Sequence, residues 1–150
     1  MELTSSSIVG GQIQKPHACR GKGGTDQPIQ LTIRALPSDT NFISIVADDP
    51  DAVKPAGKVW VHWNMFNVPA HGNVAVAAGQ QLAGDVGQTS GGGRGYEGMC
   101  PPDAVHTYRF AIFASRDKLQ VDTRKPWTID AFEAKYGSQL LAKGQITGKF

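Results

Sequence analysis

The stretch Lys58–Val68, KVWVHWNMFNV, is a long apolar and aromatic run that Pro69 ends, and it predicts a buried β-strand. Side chains alternate between the two faces of a strand, so the run predicts two sets. One face is expected to carry His62 together with Trp60, Asn64 and Phe66. The other face is expected to carry Val59, Val61, Trp63 and Met65. A histidine in so apolar a strand is either a hydrogen-bonded packing residue or part of a site.

Three further runs predict strands. Ile29–Leu36 (IQLTIRAL) alternates apolar with polar residues, as a half-buried strand does. Phe42–Ala47 (FISIVA) is continuously apolar, which is typical of a strand covered on both faces. His106–Ala114 (HTYRFAIFA) is the fourth strong strand, and Ile8–Gln14 and Gln145–Phe150 are weaker candidates.

One segment near the C-terminus predicts a helix. Asp130 and Glu133 have the three-residue spacing of a capping box, and Gly144 is expected to stop the helix. The apolar residues at helical spacing are Phe132, Tyr136, Leu140 and Leu141. Many strands with one late helix predict a mainly β domain built from two packed sheets. The length of 150 residues suits a single domain over positions 1–150.

Charge and hydropathy exclude several function classes. The net charge is +2, and the lysines and arginines are scattered, so no basic run is dense enough to follow a nucleic-acid backbone. No apolar stretch is long enough to span a bilayer. The first residues, MELTSSSIVGG, lack the basic and apolar regions of a secretory signal. We therefore expect a cytoplasmic protein with no membrane span and no nucleic-acid partner.

Cysteine occurs twice, at Cys19 and Cys100. The wide separation of the two residues gives neither a C-x-x-C redox motif nor a zinc knuckle. In a cytoplasmic chain, two reduced thiols are the expected state. A disulfide between them is the alternative that the sequence leaves open.

The segment GGGRGYEGMCPP, residues 91–102, contains a G-x-G-x-x-G spacing at Gly93, Gly95 and Gly98. A dinucleotide-binding loop needs a strand before this motif and a helix after it. Here turn-forming residues precede it, and Pro101 and Pro102 follow, so a regular helix does not begin there. The glycines instead predict a backbone that approaches a ligand closely, with N–H groups able to bind an anion.

Polar residues cluster at the ends and in the middle of the predicted strands. Asp49 and Asp51 follow a buried strand, and in an extended segment their carboxylates project to the same side. His106 and Tyr108 begin the strand after the glycine-rich loop. Together with His62, these residues predict a pocket for a small ligand with a negative group, or for a zwitterion that also carries an ammonium.

Three motifs together resemble the phosphatidylethanolamine-binding protein family, in particular its bacterial branch labelled Raf kinase inhibitor-like. They are DDPDA (48–52), VWVHW (59–63) and GYEGMCPPDAVHTYRFAIFA (95–114), and the ending LLAKGQITGKF (140–150) is also similar. The resemblance covers about residues 29–150. It implies a β-sandwich-like domain with a large central antiparallel sheet, one or two short helices near the C-terminus, and a small anion pocket at one end.

The resemblance also implies the site and its function. The ligand-binding residues carried over from the family motifs are Asp49, Asp51, His62, Gly98, Pro101, Pro102, His106 and Tyr108. The family's pockets take phosphate, phosphoryl headgroups or carboxylates, without a cofactor or metal. We therefore expect a non-enzymatic binding protein for a small anionic or phosphoryl ligand. A protease or kinase as regulated protein partner, and a homodimer, are further expectations.

Departures from the family pattern predict a changed pocket. Met99 stands where bacterial members usually have the first proline of G-P-C-P-P, and Val53 stands where a proline usually follows Asp-Pro-Asp-Ala. The usual S-P-P-L-x-W is replaced by TDQPIQLTI from Thr25 onward. We expect the rim and the N-terminal wall of the pocket to differ accordingly.

A metal-dependent hydrolase is the alternative function. Asp49, Asp51, His62 and His106 have side chains suited to zinc or a hard cation. No H-x-H or H-E-x-x-H motif orders them in advance, and no serine occurs in a G-x-S-x-G motif. The residue pattern therefore favours the binding protein.

Overall fold

Ten strands carry the architecture in the computed structural model, which describes all residues 1–150. They are β1 Glu2–Thr4, β2 Ile8–Val9, β3 Gln12–Ile13, β4 Leu31–Arg34, β5 Phe42–Asp49, β6 Trp60–Pro69, β7 Val74–Val76, β8 Asp85–Val86, β9 Thr107–Ser115 and β10 Leu140–Lys149. The α-helices are α1, Val53–Ala56, and α2, Ile129–Tyr136. Short 3₁₀ turns cover Lys15–His17, Arg20–Lys22, Pro50–Ala52 and Gly137–Gln139. The four strong sequence runs all contain a strand.

The strands form a large sheet and a small one. The seven-stranded sheet has the order β2-β3-β10-β9-β5-β6-β8, and the three-stranded sheet has the order β1-β4-β7. All neighbours are antiparallel except β3 and β10, which pair in parallel. The prediction of a mainly β fold with a large central sheet is confirmed.

Each face of the large sheet packs on a different layer. One face meets the small sheet, where Leu31 and Ile33 of β4 pack with Ile45 of β5 and Phe110 of β9. The other face meets α2, whose fully buried Phe132 stacks on Phe66 of β6 at 5.5 Å between ring centroids. Because β5, β6 and β9 are covered on both faces, their sequences are nearly continuous apolar runs.

The predicted division of β6 into two alternating faces is wrong beyond His62. The pairing of β6 with β5 runs Ala47 to Trp63 and then Asp48 to Val61, so His62 is an extra residue in a β-bulge. The bulge reverses the alternation, so each residue after His62 lies on the face opposite to the predicted one. Trp63 and Met65 therefore share the small-sheet side with His62, whereas Asn64 and Phe66 lie on the α2 side.

The predicted helix is shorter than expected. Its N-cap is Thr128, whose hydroxyl accepts a 3.1 Å hydrogen bond from the backbone N–H of Ala131, so the capping residue is not Asp130. The α-helix ends at Tyr136, and Leu140 and Leu141 belong to β10. The pairing of β10 with β9 extends from Leu140 to Lys149, and this tertiary pairing outweighs the helical spacing.

Helix α1 is a single turn that the sequence did not indicate. It follows the Pro50–Ala52 turn and ends at Gly57, which has a φ of +78°. This left-handed conformation suits glycine and closes the helix. The turn lies beside the end of β5 and supplies one wall of the cavity described next.

Candidate functional site

A cavity of about 370 Å³ opens where β5 ends and β6 begins. This volume lies within the range of small-ligand pockets. Its apolar wall comes from α1 and the adjoining turn, with Ala52, Pro55 and Ala56 facing Trp60 of β6. The strand ends supply the polar floor, and the loop after the glycine-rich segment supplies the opposite wall.

Six of the eight predicted site residues line this cavity. They are Asp49, His62, Gly98, Pro101, Pro102 and His106. Asp51 and Tyr108 do not line it. The cavity thus brings together residues from β5, β6 and the loop leading into β9, which lie far apart in the sequence.

Asp51 is directed away from the cavity, so the predicted common side for both carboxylates is wrong. Residues Pro50–Ala52 form a 3₁₀ turn rather than an extended segment, and the strand alternation does not apply. The Asp51 carboxylate accepts a 2.8 Å hydrogen bond from the backbone N–H of Thr107, at the start of β9. Asp49 keeps the inward position and accepts 3.0 Å from the N–H of Asp51.

His106 is held between two carboxylates. Its Nδ1 lies 2.6 Å from Asp49 Oδ2, and its Nε2 lies 2.6 Å from Asp103 Oδ1. Burial alone lowers the pKa of His106, but the hydrogen bonds to Asp49 and Asp103 outweigh it and raise the pKa above its usual value. The same contact lowers the pKa of Asp103. Both ring nitrogens are therefore occupied, and His106 has no free N–H for a ligand.

His62 is held differently. Its Nδ1 lies 2.9 Å from the carbonyl oxygen of Glu97, and since a carbonyl only accepts, Nδ1 carries the proton. Burial lowers the pKa of His62, which keeps the ring neutral, although the bond to Glu97 opposes this. Nε2 has no hydrogen-bond partner in the chain and is the free nitrogen of the site.

Tyr108 lies behind the two histidines and is 1% exposed. Its ring meets His62 edge to face at 5.2 Å between centroids and lies 6.2 Å from the ring of His106. Burial raises the pKa of the Tyr108 hydroxyl, and the negative charge of Asp49 adds to this. The hydroxyl has no hydrogen-bond partner, which is an uncommon state for a buried polar group.

The loop of residues 95–102 has fewer free N–H groups than expected for an anion-binding nest. The N–H of Gly98 donates to Asp26 Oδ1 at 2.9 Å, and that of Met99 donates to the carbonyl of His17 at 3.3 Å. Pro101 and Pro102 have no N–H. Among the loop residues that line the cavity, the N–H of Cys100 remains without a partner in the chain.

Two acidic residues of the cavity were not predicted. Asp26 lies on the segment before β4, and Glu97 lies in the glycine-rich loop, where it accepts from the indole N–H of Trp60 and from the N–H of Gly91. No lysine or arginine lines the cavity. The family motifs contain Glu97 but give it no role, and nothing in the sequence indicates Asp26, because it comes from the segment that departs from the pattern.

Cys19 and Cys100 form a disulfide, so the expectation of two reduced thiols is wrong. Their Cα atoms are 5.4 Å apart although the two residues are 81 positions apart in the sequence. A parallel bridge between Ala18 and Met99 brings the two segments together. Both cysteines line the cavity.

The departure at Met99 does not alter the rim. Met99 is fully buried in the core between the sheets, and its sulfur accepts from the hydroxyl of Tyr96 at 3.3 Å. Its backbone N–H donates to His17, which a proline in this position cannot do. Val53 lies at the start of α1 and is exposed on the outer side of the cavity wall.

The side chains of the metal-hydrolase alternative are not arranged around a common metal position. No group of three His, Cys, Asp or Glu side chains is placed to hold a metal ion. Asp51 lies outside the cavity, and both nitrogens of His106 are taken by carboxylates. Neither α-helix is long and apolar enough to cross a bilayer.

The pKa values of the two site histidines should lie on opposite sides of the usual value of about 6.5. We expect His106 to lose its proton above that value and His62 to gain one only below it. His106 then contributes stability below about pH 6.5 that is lost as the pH rises through its raised pKa. His62 contributes stability above about pH 6.5 that is lost as the pH falls through its lowered pKa. NMR titration of the imidazole signals checks the order, and a His62 pKa above that of His106 would contradict it.

Comparison with known proteins places this geometry in a family context. Residues 4–150 match the family described as phosphatidylethanolamine-binding protein. A UPF0098 protein of Methanothermobacter thermautotrophicus is 34% identical over 146 residues, covering 93% of this chain and 91% of that relative. The crystal structure of Escherichia coli YbcL matches with a TM-score of 0.82 at 26% identity, covering 99% of this chain and 96% of that one. The phosphatidylethanolamine-binding protein homolog CT736 of Chlamydia trachomatis matches with a TM-score of 0.80 at 26% identity, covering 99% and 95%.

Proposed function

The chain belongs to the phosphatidylethanolamine-binding protein family, and on that premise we propose that it is a non-enzymatic binding protein for a small phosphoryl ligand. The observation that carries this proposal is a pair of unpartnered polar groups on residues that line one cavity. They are Nε2 of His62 and the N–H of Cys100, and the unpartnered hydroxyl of Tyr108 is buried behind the histidines. His62 is 4% exposed, and most buried polar groups in proteins have partners, so its free Nε2 in a cavity points to a ligand.

The two groups suit a phosphoryl oxygen in different ways. The N–H of Cys100 is a donor. His62 is neutral with Nε2 unprotonated, so Nε2 accepts a hydrogen bond from a P–OH group or takes up a proton when the anion binds. The negative charge of the bound anion favours the protonated imidazole, so we expect binding to raise the pKa of His62.

The charges of the cavity favour a ligand that is not purely anionic. Three carboxylates line it, those of Asp26, Asp49 and Glu97, against one imidazolium, that of His106. Both oxygens of Asp49 are occupied, but Asp26 and Glu97 each have an oxygen without a partner. A ligand with an ammonium beside its phosphoryl group pairs with both the phosphoryl-binding groups and the free carboxylate oxygens. This favours a phosphoethanolamine-like molecule over free phosphate.

A binding role without catalysis follows from the same contacts. His106 is fixed by two carboxylates and has no free nitrogen to move a proton. Asp49 is occupied by His106 and by the N–H of Asp51. The His106–Asp49 pair is therefore not available as an acid and a base, which supports a binding role.

Replacing His62 by alanine should weaken the binding of inorganic phosphate about 10- to 100-fold, because hydrogen bonds to charged groups contribute roughly 1.5–3 kcal/mol. Calorimetric titration of the oxidised protein measures the change. His71→Ala is the matched control, because His71 is exposed and lies outside the cavity. Equal affinity of the His62→Ala variant and the wild type would show that the ligand binds elsewhere.

Other expectations from the sequence stay predictions. They are a single domain over residues 1–150, a homodimer, and regulation of a protease or kinase partner by the bound ligand. The predicted cytoplasmic location also stays a prediction. The disulfide between Cys19 and Cys100 weighs against it, because disulfides persist mainly in oxidising compartments.

A further inference from the structure

The Cys19–Cys100 disulfide is part of the cavity wall, and neither of its two residues is fully buried. Both residues line the cavity, with Cys19 half-buried and Cys100 exposed. The chain has two cysteines in all, so this bond is the one target that a thiol reductant finds in the protein. A disulfide that faces solvent can be attacked by a thiolate, whereas a buried one is protected.

The bond joins the two walls that carry the ligand-facing groups. Cys19 lies on the segment that continues to Asp26, and Cys100 supplies the unpartnered N–H. Three hydrogen bonds also connect these walls: Cys19 N–H to Met99 O at 3.0 Å, Met99 N–H to His17 O at 3.3 Å, and Gly98 N–H to Asp26 Oδ1 at 2.9 Å. They hold the neighbouring residues, so we expect the walls to stay together when the disulfide is open.

Cys100 itself has no such support. Neither its N–H nor its carbonyl takes part in a backbone hydrogen bond, and Pro101 follows it without an N–H of its own. The fully buried Met99 fixes one side of Cys100, and the disulfide fixes its side chain. We therefore expect loss of the bond to free the cavity residue that carries the unpartnered N–H, while the buried Met99 beside it keeps its packing.

We propose that this disulfide is a redox switch for ligand binding: the oxidised form holds the Cys100 N–H in place, and reduction by a dithiol weakens binding. The inference rests on the proposed phosphoryl site. In the reaction, a thiolate of the reductant attacks one sulfur, the S–S bond breaks and a mixed disulfide forms. The second thiol of the reductant then resolves it. Two electrons and two protons pass to Cys19 and Cys100 as thiols, and the reductant becomes a disulfide.

The coupling has a reciprocal consequence. Couplings between two sites in proteins are typically about 5- to 150-fold, and we expect about tenfold weaker phosphate binding in the reduced form. By linkage, saturating phosphate must then favour the disulfide over the dithiol by the same factor. A bond that only stabilises the fold, without acting on the site, shows no such effect of phosphate.

The experiment compares the oxidised protein, the protein reduced with excess dithiothreitol, and the Cys19→Ser/Cys100→Ser double variant. Calorimetric titration with inorganic phosphate and with phosphoethanolamine gives the affinities, and near-UV circular dichroism monitors the fold. Equilibration with dithiothreitol buffers, with and without saturating phosphate, gives the shift of the thiol–disulfide equilibrium.

The proposal predicts a folded reduced protein, about tenfold weaker binding in both the reduced wild type and the double variant, and an equal shift of the thiol–disulfide equilibrium by phosphate. Equal affinity of the oxidised and reduced forms overturns the switch while leaving the proposed function intact. Global unfolding on reduction also overturns it, since the bond is then a structural cross-link. If the oxidised protein binds neither compound, the proposed function itself fails.

Discussion

We expect the Asp48→Ala variant to unfold with a free energy about 3–5 kcal/mol lower than the wild type, as when one partner of a buried ion pair is removed. Asp48 is 0% exposed and accepts two bonds from Arg109, from Nε at 2.7 Å and from Nη2 at 2.8 Å. It also accepts a 2.9 Å hydrogen bond from the backbone N–H of Ile129, the first residue of α2. The substitution leaves a guanidinium that is 21% exposed, and a buried N–H, without this partner.

Asp130→Ala is the matched control for Asp48. Asp130 faces the same guanidinium at 3.6 Å but is 80% exposed, so its removal should change the free energy of unfolding by less than about 0.5 kcal/mol. Urea denaturation of both variants measures the difference. Similar losses for the two variants would mean that the buried position of Asp48 does not set its contribution.

The second large effect is expected at Gly98. A Cβ built on Gly98 lies 2.4 Å from the carbonyl carbon of Ala18 and 2.5 Å from the backbone N of Cys19. These are backbone atoms of the neighbouring segment, which cannot rotate away as a side chain can. Gly98→Ala must therefore push the two cavity walls apart. We expect the free energy of unfolding to fall by about 3 kcal/mol, which is at the upper end of the typical cost of overpacking.

Gly137→Ala is the control for the chemical change from glycine to alanine. Gly137 follows α2 in a helical conformation, and a Cβ there meets nothing within 4 Å. Alanine should stabilise that position by up to about 1 kcal/mol through its helix propensity. Thermal denaturation of both variants checks the contrast. An equally stable Gly98→Ala protein would show that the walls are not in close contact.

Local pattern and the family motifs were sufficient to predict the main strands and six residues that line the cavity. The apolar runs in β5, β6 and β9 are long because both faces are covered, and such runs are visible in a single sequence. Asp49, His62 and His106 stand within or beside those runs, and this placement, together with the family motifs, predicted a shared pocket. The anion-binding role of the glycine-rich loop was inferred from residue type alone, and the structure reduces it to one N–H, that of Cys100.

The rest depended on contacts between distant segments. The bulge at His62 arises from the register between β5 and β6, and it moves Asn64 and Phe66 to the other face. The end of α2 is set by the pairing of β10 with β9. Asp51 turns outward because a 3₁₀ turn follows β5.

The cavity's N-terminal wall was the least predictable part. Asp26 and Cys19 reach the cavity through the bridge between Ala18 and Met99, a contact between segments about 80 residues apart. The residue spacing within either segment does not indicate that contact. The sequence departs from the family pattern in this region, so the resemblance was also of no help there.

The central claim is that the cavity binds a phosphoryl group through His62 and Cys100, and NMR titration of the oxidised protein with inorganic phosphate tests it most directly. We predict saturable shifts of the Cys100 amide and of the His62 imidazole, with the pKa of His62 raised by bound phosphate. The exposed His71 should not respond beyond the effect of ionic strength. Saturation of the folded protein without a change at His62 or Cys100 would contradict the claim.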